Sequence, residues 1–143
     1  INYQFQLLPA IEDISRNSYG TIAYGLSITL LLILFWPTNA AAVSAGVLIM
    51  AFGDGLAGLI GPNLDSPSWL ILGDRKSIAG TLTMFITGVI VLSCMASLAG
   101  ISFHIGQIMI ISCIATILEQ ISKWGIDNIT VPIGVAYIWT VIF

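Results

Sequence analysis

Five apolar runs, each too uniformly hydrophobic to face water, take up most of this sequence: residues 21–36, 40–60, 78–99, 105–121 and 131–143. A helix crosses the hydrocarbon of a bilayer with about 20 apolar residues, and with fewer where neighbours shield its ends. Only 8% of the 143 residues are charged and the mean hydropathy is +1.01, well outside the range of a soluble domain. The spacing predicts an all-α, polytopic transmembrane bundle of about five helices, forming one integral membrane domain over 1–143. Pro37 stops the first run and Gly61-Pro62 the second. The one substantial loop, 61–77, contains the turn formers Pro62, Asn63, Asp65, Pro67 and Gly73. Within it, Trp69-Leu70-Ile71-Leu72 suits an interfacial anchor. Residues 1–20 read as an interfacial stretch or the remnant of an earlier helix. With Ile1 first and no signal-peptide pattern, the chain reads as an N-terminally truncated fragment. Cys94 and Cys113 lie inside apolar runs and read as small buried hydrophobes.

Alternating the runs across a bilayer sorts the charges. All four Lys and Arg residues, Arg16, Arg75, Lys76 and Lys123, fall on one side, whereas the other holds only His104. The positive-inside rule makes the charged side cytoplasmic, or stromal in a plastid. That rule says little about acids, yet Glu12, Asp13, Asp65, Asp74, Glu119 and Asp127 share the side, with Asp54 in the nearer half of its run. A polar reaction site explains both signs. The net charge of −3 implies no particular partner, and no basic, aromatic-interleaved surface for nucleic acid is present.

Three clusters carry the chemistry. The first is Gly53-Asp54-Gly55, with a carboxylate about six residues, roughly 9 Å, inside a membrane helix. Burying an acid there costs about 3 kcal/mol, so it reads as functional unless it merely pairs with a cation to hold helices together. Gly53, Gly55 and Gly58 match the dinucleotide fingerprint GxGxxG, but no strand precedes them; they read as small residues for close helix packing. The second cluster, Gly73-Asp74-Arg75-Lys76-Ser77-Ile78-Ala79-Gly80-Thr81, puts two cations at a helix N-terminus, where free amides favour an anion such as phosphate. Its plainer reading is a juxtamembrane basic pair with Ser77 as N-cap. The third holds Glu119, Lys123, Asp127 and Asn128. Glu119 and Lys123 stand four apart and could form a simple ion pair. Asp127 and Asn128 offer oxygens to a cation or ribose, or to a turn. Asn128-Ile129-Thr130 is a glycosylation sequon on the unmodified side. No zinc spacing, nucleophilic triad or Walker loop occurs. Acids beside a phosphate-ready helix end suggest Mg²⁺ bridging carboxylates and phosphate.

Taken together, the clusters resemble the polyprenol kinase family of dolichol, farnesol and phytol kinases and, more distantly, the phosphatidate cytidylyltransferases. Gly53-Asp54-Gly55-Leu56-Ala57 looks like the family's GDG element, and Lys76-Ser77-Ile78-Ala79-Gly80-Thr81 like its K-S-x-x-G-[ST] element. Asp127-Asn128-Ile129-Thr130-Val131-Pro132 is similar to D-N-[LI]-T-[VI]-P, and Arg16-Asn17-Ser18-Tyr19-Gly20 to R-x-S-Y-G. Ala79, where many relatives carry Glu, favours the phytol-kinase-like branch; the family's upstream Arg-Lys-containing helix has no counterpart here.

The resemblance implies transfer of the γ-phosphoryl group of CTP, with Mg²⁺, to a membrane-dissolved isoprenoid alcohol, most simply phytol. It implies catalytic roles for Asp54 (metal ligand or alcohol-orienting base) and Lys76. Arg75, Lys76, Ser77, Gly80, Asp127 and Asn128 would contact nucleotide or phosphate, and Asp54, Asp74 and Glu119 would hold the metal. A CDP-lipid-forming cytidylyltransferase is the nearest alternative. A small ion-coupled transporter, with Asp54 as its ion site, is the alternative from another class.

Overall fold

The computed structural model describes residues 4–143, with side chains described from Tyr19 onward. Helix α1 runs unbroken from Gln4 to Phe35, so from Gln4 the expected interfacial stretch 1–20 is the first part of the first helix. The side chains of Glu12, Asp13 and Arg16 lie outside the described residues. After a short turn, Asn39 caps α2 (Ala40–Leu48) by accepting the Ala42 amide at 3.0 Å. The helix then widens into a π-helical segment, Ile49–Asp54, and continues as α3 (Gly55–Asn63). It ends at Asn63 and not at residue 60, because Pro62 falls in the last turn, where it removes only one ladder donor.

The loop expected over 61–77 contains a hairpin. Strand β1 (Ser68–Ile71) pairs antiparallel with β2 (Asp74–Ser77), with Trp69 opposite Lys76 and Ile71 opposite Asp74. Leu72 (φ 52°) and Gly73 (φ 96°) turn the corner with two positive φ angles, as two-residue hairpin turns require. Helix α4 spans Ile78–Leu98 and α5 Ile105–Ile121. Helix α6 spans Asp127–Ile142, starting before the expected residue 131. The Asp127 carboxylate accepts the Asn128 amide at 3.0 Å and suits the positive helix end, while Pro132 costs that helix a single bond.

Small residues set the crossings. A Cβ at Gly46 would lie 2.4 Å from the Pro132 carbonyl oxygen, so α2 meets the backbone of α6, and one at Gly88 would lie 2.4 Å from Ser112 Oγ, so α4 rests against that side chain of α5. Between them lies one core of Leu31, Ile49, Met84, Leu92, Ile108 and Trp139, all fully buried.

The outside is also apolar. Leu82, Ile86 and Ile90 form an exposed row along α4, Ile117 and Ile121 another on α5, and Tyr137 and Val141 a third on α6. Segments Ala40–Asn63 and Ile78–Leu98 are long and apolar enough to cross a membrane, and only 17% of the latter's most apolar stretch is buried in the protein. A core helix of a soluble protein would hide that surface; here it faces outward, as lipid contact requires. Cys94 and Cys113 are exposed on this exterior, contrary to the expectation that they are buried, because apolar runs here face outward as well as inward. The fold is an all-α membrane bundle with one small hairpin.

Candidate functional site

The site forms at the hairpin end of the bundle. Asp54 closes the π-helical segment, where the wider turn re-aims the side chains that follow. The Tyr24 hydroxyl of α1 donates to the Val47 carbonyl at 2.9 Å, tying α1 to the chain just before that segment. Gly53 lies flush against Met84 of α4, whose Sδ would be 2.6 Å from a Cβ.

Around Asp54 the chain collects acids from distant positions. Carboxylate oxygens of Asp54, Glu119 and Asp127 lie within 4.8 Å of one another, supplied by the π-helical segment, the end of α5 and the start of α6. Lys76, carried on β2, forms an ion pair with Glu119 and also donates to the Glu119 carbonyl at 3.3 Å. Gln120 Nε2 donates to the other Glu119 oxygen at 2.6 Å. Glu119 therefore pairs with Lys76 and not with Lys123, whose ammonium lies 4.7 Å from the Trp124 ring centroid. The reason is the end of α5 at Ile121, which takes Lys123 off the helical face it would share with Glu119.

Two cavities, of about 580 and 590 Å³, meet at this cluster. Both are lined by Asp54, Arg75 and Lys76. Asp127, Asn128 and Asp74 line the first, and Glu119, Ser77 and Gly80 the second. Every residue to which the resemblance gives a catalytic, phosphate or metal role thus borders one space or the other, whereas Lys123 of the third cluster borders neither. Their grouping differs from the expected one. Asp127 joins the carboxylate trio, whereas Asp74 sits on the hairpin wall of the first cavity.

The N-terminus of α4 is not the open anion cradle anticipated. The Ile78 amide donates to the Pro67 carbonyl at 3.0 Å, Ala79 to Ser66 Oγ at 3.2 Å, and Gly80 to Ser77 Oγ at 3.1 Å. With these donors committed, the cations Lys76 and Arg75 are what remains there to attract phosphate. Arg75 is steadied by Nε donating to Ser68 Oγ at 3.0 Å. Gly80 has a packing role, since its absent Cβ would stand 3.4 Å from the Ala57 carbonyl oxygen.

Known proteins are similar to this chain along almost all of its length. A phytol kinase from Synechocystis sp. is 39% identical over 96% of the chain. By sequence, the chain resembles the phytol-kinase-like family. Probable chloroplastic phytol kinases of Glycine max and Zea mays are each 26% identical over 87% of it. The chain spans 60% of the Synechocystis relative's length and about 45% of the plant ones. No protein-family profile and no solved structure matches it.

In this phytol-kinase-like chain, sequence reasoning missed one wall of the first cavity: Gly20, Thr21 and Tyr24 of α1, with Trp124 and Gly125 of the α5–α6 turn. The available signal was the pair of glycines. A Cβ on Gly125 (φ 79°) would sit 3.0 Å from Gly20 Cα, so the turn rests directly on α1. Two other glycines do not pack as expected: a Cβ at Gly55 or Gly58 would meet nothing within 4 Å.

Proposed function

We propose that this protein is a kinase that transfers the γ-phosphoryl group of CTP to phytol, giving phytyl phosphate, at the cytoplasmic or stromal face of a membrane. The observation that carries this reading is the carboxylate trio Asp54, Glu119 and Asp127 beside Lys76 and Arg75, in cavities shared between a membrane helix and a polar hairpin. The phytol kinase relatives support the alcohol. CTP and Mg²⁺ rest on the resemblance and on the chemistry of the donor set.

Three anions within 4.8 Å repel one another, and the one lysine paired there offsets a single charge. An all-oxygen set of this kind suits Mg²⁺. Bound by Asp54, Glu119 and Asp127, the ion would neutralise charge on the transferring phosphoryl group. The remaining work falls to the chain's own groups. Lys76 and Arg75 hold the phosphates, Lys76 exchanging Glu119 for a phosphate oxygen. The alcohol oxygen forms a bond to the γ-phosphorus while the bond to the β-phosphate bridging oxygen breaks, releasing a nucleoside diphosphate. The alcohol's proton passes to a carboxylate of the cluster. Little else is needed, because phosphoryl transfer depends chiefly on positioning and charge neutralisation.

The test incubates membranes carrying the protein with γ-labelled CTP or ATP and phytol, farnesol, dolichol or diacylglycerol. Labelled phytyl phosphate formed with CTP is the expected result. Absence of labelled lipid with every pair would overturn the kinase reading, and pyrophosphate release with a CDP-lipid would replace it by cytidylyl transfer.

A further inference from the structure

Both carboxylate oxygens of Glu119 have partners, and one of those partners is the very next residue. Lys76 takes Oε1, while Gln120 donates from Nε2 to Oε2 at 2.6 Å. Resting on the kinase reading above and its Mg²⁺ site, we propose that Gln120 is a positioning residue for the metal. Its amide nitrogen holds Glu119 so that a single carboxylate oxygen is left for the cation. Its carbonyl oxygen accepts from a cation-bound water once Lys76 has turned to phosphate. The two contacts together favour Mg²⁺ over Ca²⁺.

The contact itself is the first argument. Successive residues of an α-helix point about 100° apart, so neighbours in sequence do not face each other. Gln120 is the last residue but one of α5 and could extend away from the helix. Instead it lies partly buried and bends back onto the carboxylate beside it. A hydrogen bond to an ionised acceptor is about twice as strong as a neutral one, which offsets the side-chain freedom given up.

The other end of the amide is the second argument. Gln120 Oε1 is buried and has no donor among the described residues. Turning the amide over would not relieve it, since that would set its oxygen against the Glu119 carboxylate. What is missing is therefore a donor. A buried acceptor without one is costly, and an ion or water at the site is the usual remedy. Gln120 shares the wall of the second cavity with Asp54, Lys76 and Glu119, two of them members of the trio. Mg²⁺ dehydrates reluctantly and brings several waters with it, each a strong donor.

The choice of cation follows from the oxygens left over. Ca²⁺ takes more ligands and readily binds both oxygens of one carboxylate, whereas Mg²⁺ uses few carboxylates and keeps its water. With Oε2 tied to Gln120, Glu119 is restricted to one oxygen. Asp127 is restricted in the same way, its Oδ1 accepting the Asn128 amide at 3.0 Å. Of these two restraints, only the one on Glu119 comes from a side chain that can be replaced.

Titrating the full-length protein with each cation in detergent, without substrates and read by the thermal midpoint, tests the proposal. The wild type should reach its half-maximal rise at a lower concentration of Mg²⁺ than of Ca²⁺. Gln120→Leu, which removes donor and acceptor together, should raise the Mg²⁺ concentration needed by about tenfold and move the Ca²⁺ value by no more than about twofold. Its cation-free midpoint should change little, because an unsatisfied acceptor leaves along with the lost bond. Gln120→Glu keeps an acceptor, loses the donor and adds a charge; both cations should bind more tightly, with Ca²⁺ gaining more. A merely structural residue would move both cations alike. Unchanged or equally weakened binding in Gln120→Leu, or a wild type that prefers Ca²⁺, would overturn the proposal. So would a gain for Mg²⁺ in Gln120→Glu that matches the gain for Ca²⁺, and this variant decides if Gln120→Leu fails to fold. A wild type unmoved by either cation would remove the proposal together with the Mg²⁺ site. Wild-type protein that shows the Mg²⁺ preference but phosphorylates no alcohol would sink the kinase reading alone.

Discussion

At the scale of single residues, the ion pair of Lys76 with Glu119 couples folding to chemistry. Both side chains are largely shielded, at 13% and 8% exposure, so removing one leaves a poorly solvated charge behind. Breaking such a pair costs about 3–5 kcal/mol when fully buried, and correspondingly less here. Lys76→Ala should therefore lower the thermal midpoint in detergent as well as activity. Adding Glu119→Gln should restore much of the midpoint but none of the activity, which unfolding curves and turnover assays on the same preparations would separate. Asp54→Asn should lower turnover by on the order of 10²-fold or more through lost charge stabilisation, with the fold intact. Trp139 offers a contrast in the core. Its indole N–H is buried without a partner among the described residues, so Trp139→Phe should cost little, because the loss of contact area is offset by removal of an unsatisfied donor.

At the scale of elements, the glycines divide into two kinds that look alike in the sequence. Gly46→Ala drives a methyl group into the Pro132 carbonyl at 2.4 Å and should destabilise by about 1–3 kcal/mol, as overpacking does. Gly58→Ala should instead stabilise α3 by about 0.5–1 kcal/mol, since only the helix propensity changes. Thermal unfolding of the two variants side by side checks the contrast; equal loss of stability would mean that Gly58 is a packing residue after all. The π-helical segment is the other feature peculiar to this scale. Tyr24→Phe removes the hydrogen bond to the Val47 carbonyl, which should cost about 1 kcal/mol and loosen the aim of Asp54. A fall in kcat greater than the fall in stability explains would identify Tyr24 as a positioning residue.

At the scale of the whole molecule, the carboxylate trio joins chain positions 54, 119 and 127 and so ties the π-helical segment, α5 and α6 together. A cation that binds there stabilises the folded state by mass action, by about 2.7 kcal/mol at a hundred times its dissociation constant. Mg²⁺ should thus raise the thermal midpoint of the wild type and leave that of Asp127→Asn unmoved; no shift in the wild type would remove the trio as a metal site.

Hydropathy by itself determined the class of fold and four of the helix stretches to within a few residues, because the cost of burying charge in lipid leaves little freedom. The same constraint made Asp54, Lys76 and Glu119 conspicuous, since polar groups beside apolar runs need a reason to be there. Whether α1 continued upstream was not legible in the same way, since a polar stretch can extend a helix as readily as end it. The hairpin was hidden because Leu72 is a poor residue for a positive φ; only its neighbours' pairing makes the turn worth its strain. Tertiary structure alone decided that Glu119 pairs with Lys76, 43 positions away, and not with Lys123. It alone showed that the first amides of α4 are already taken and that Gly20, Tyr24 and Trp124 border the site. The physical reason is common to all of these. Membrane depth is a property of each residue's own neighbourhood in the sequence, whereas partners are fixed by how helices cross, and those crossings depend on which glycines meet a neighbouring backbone.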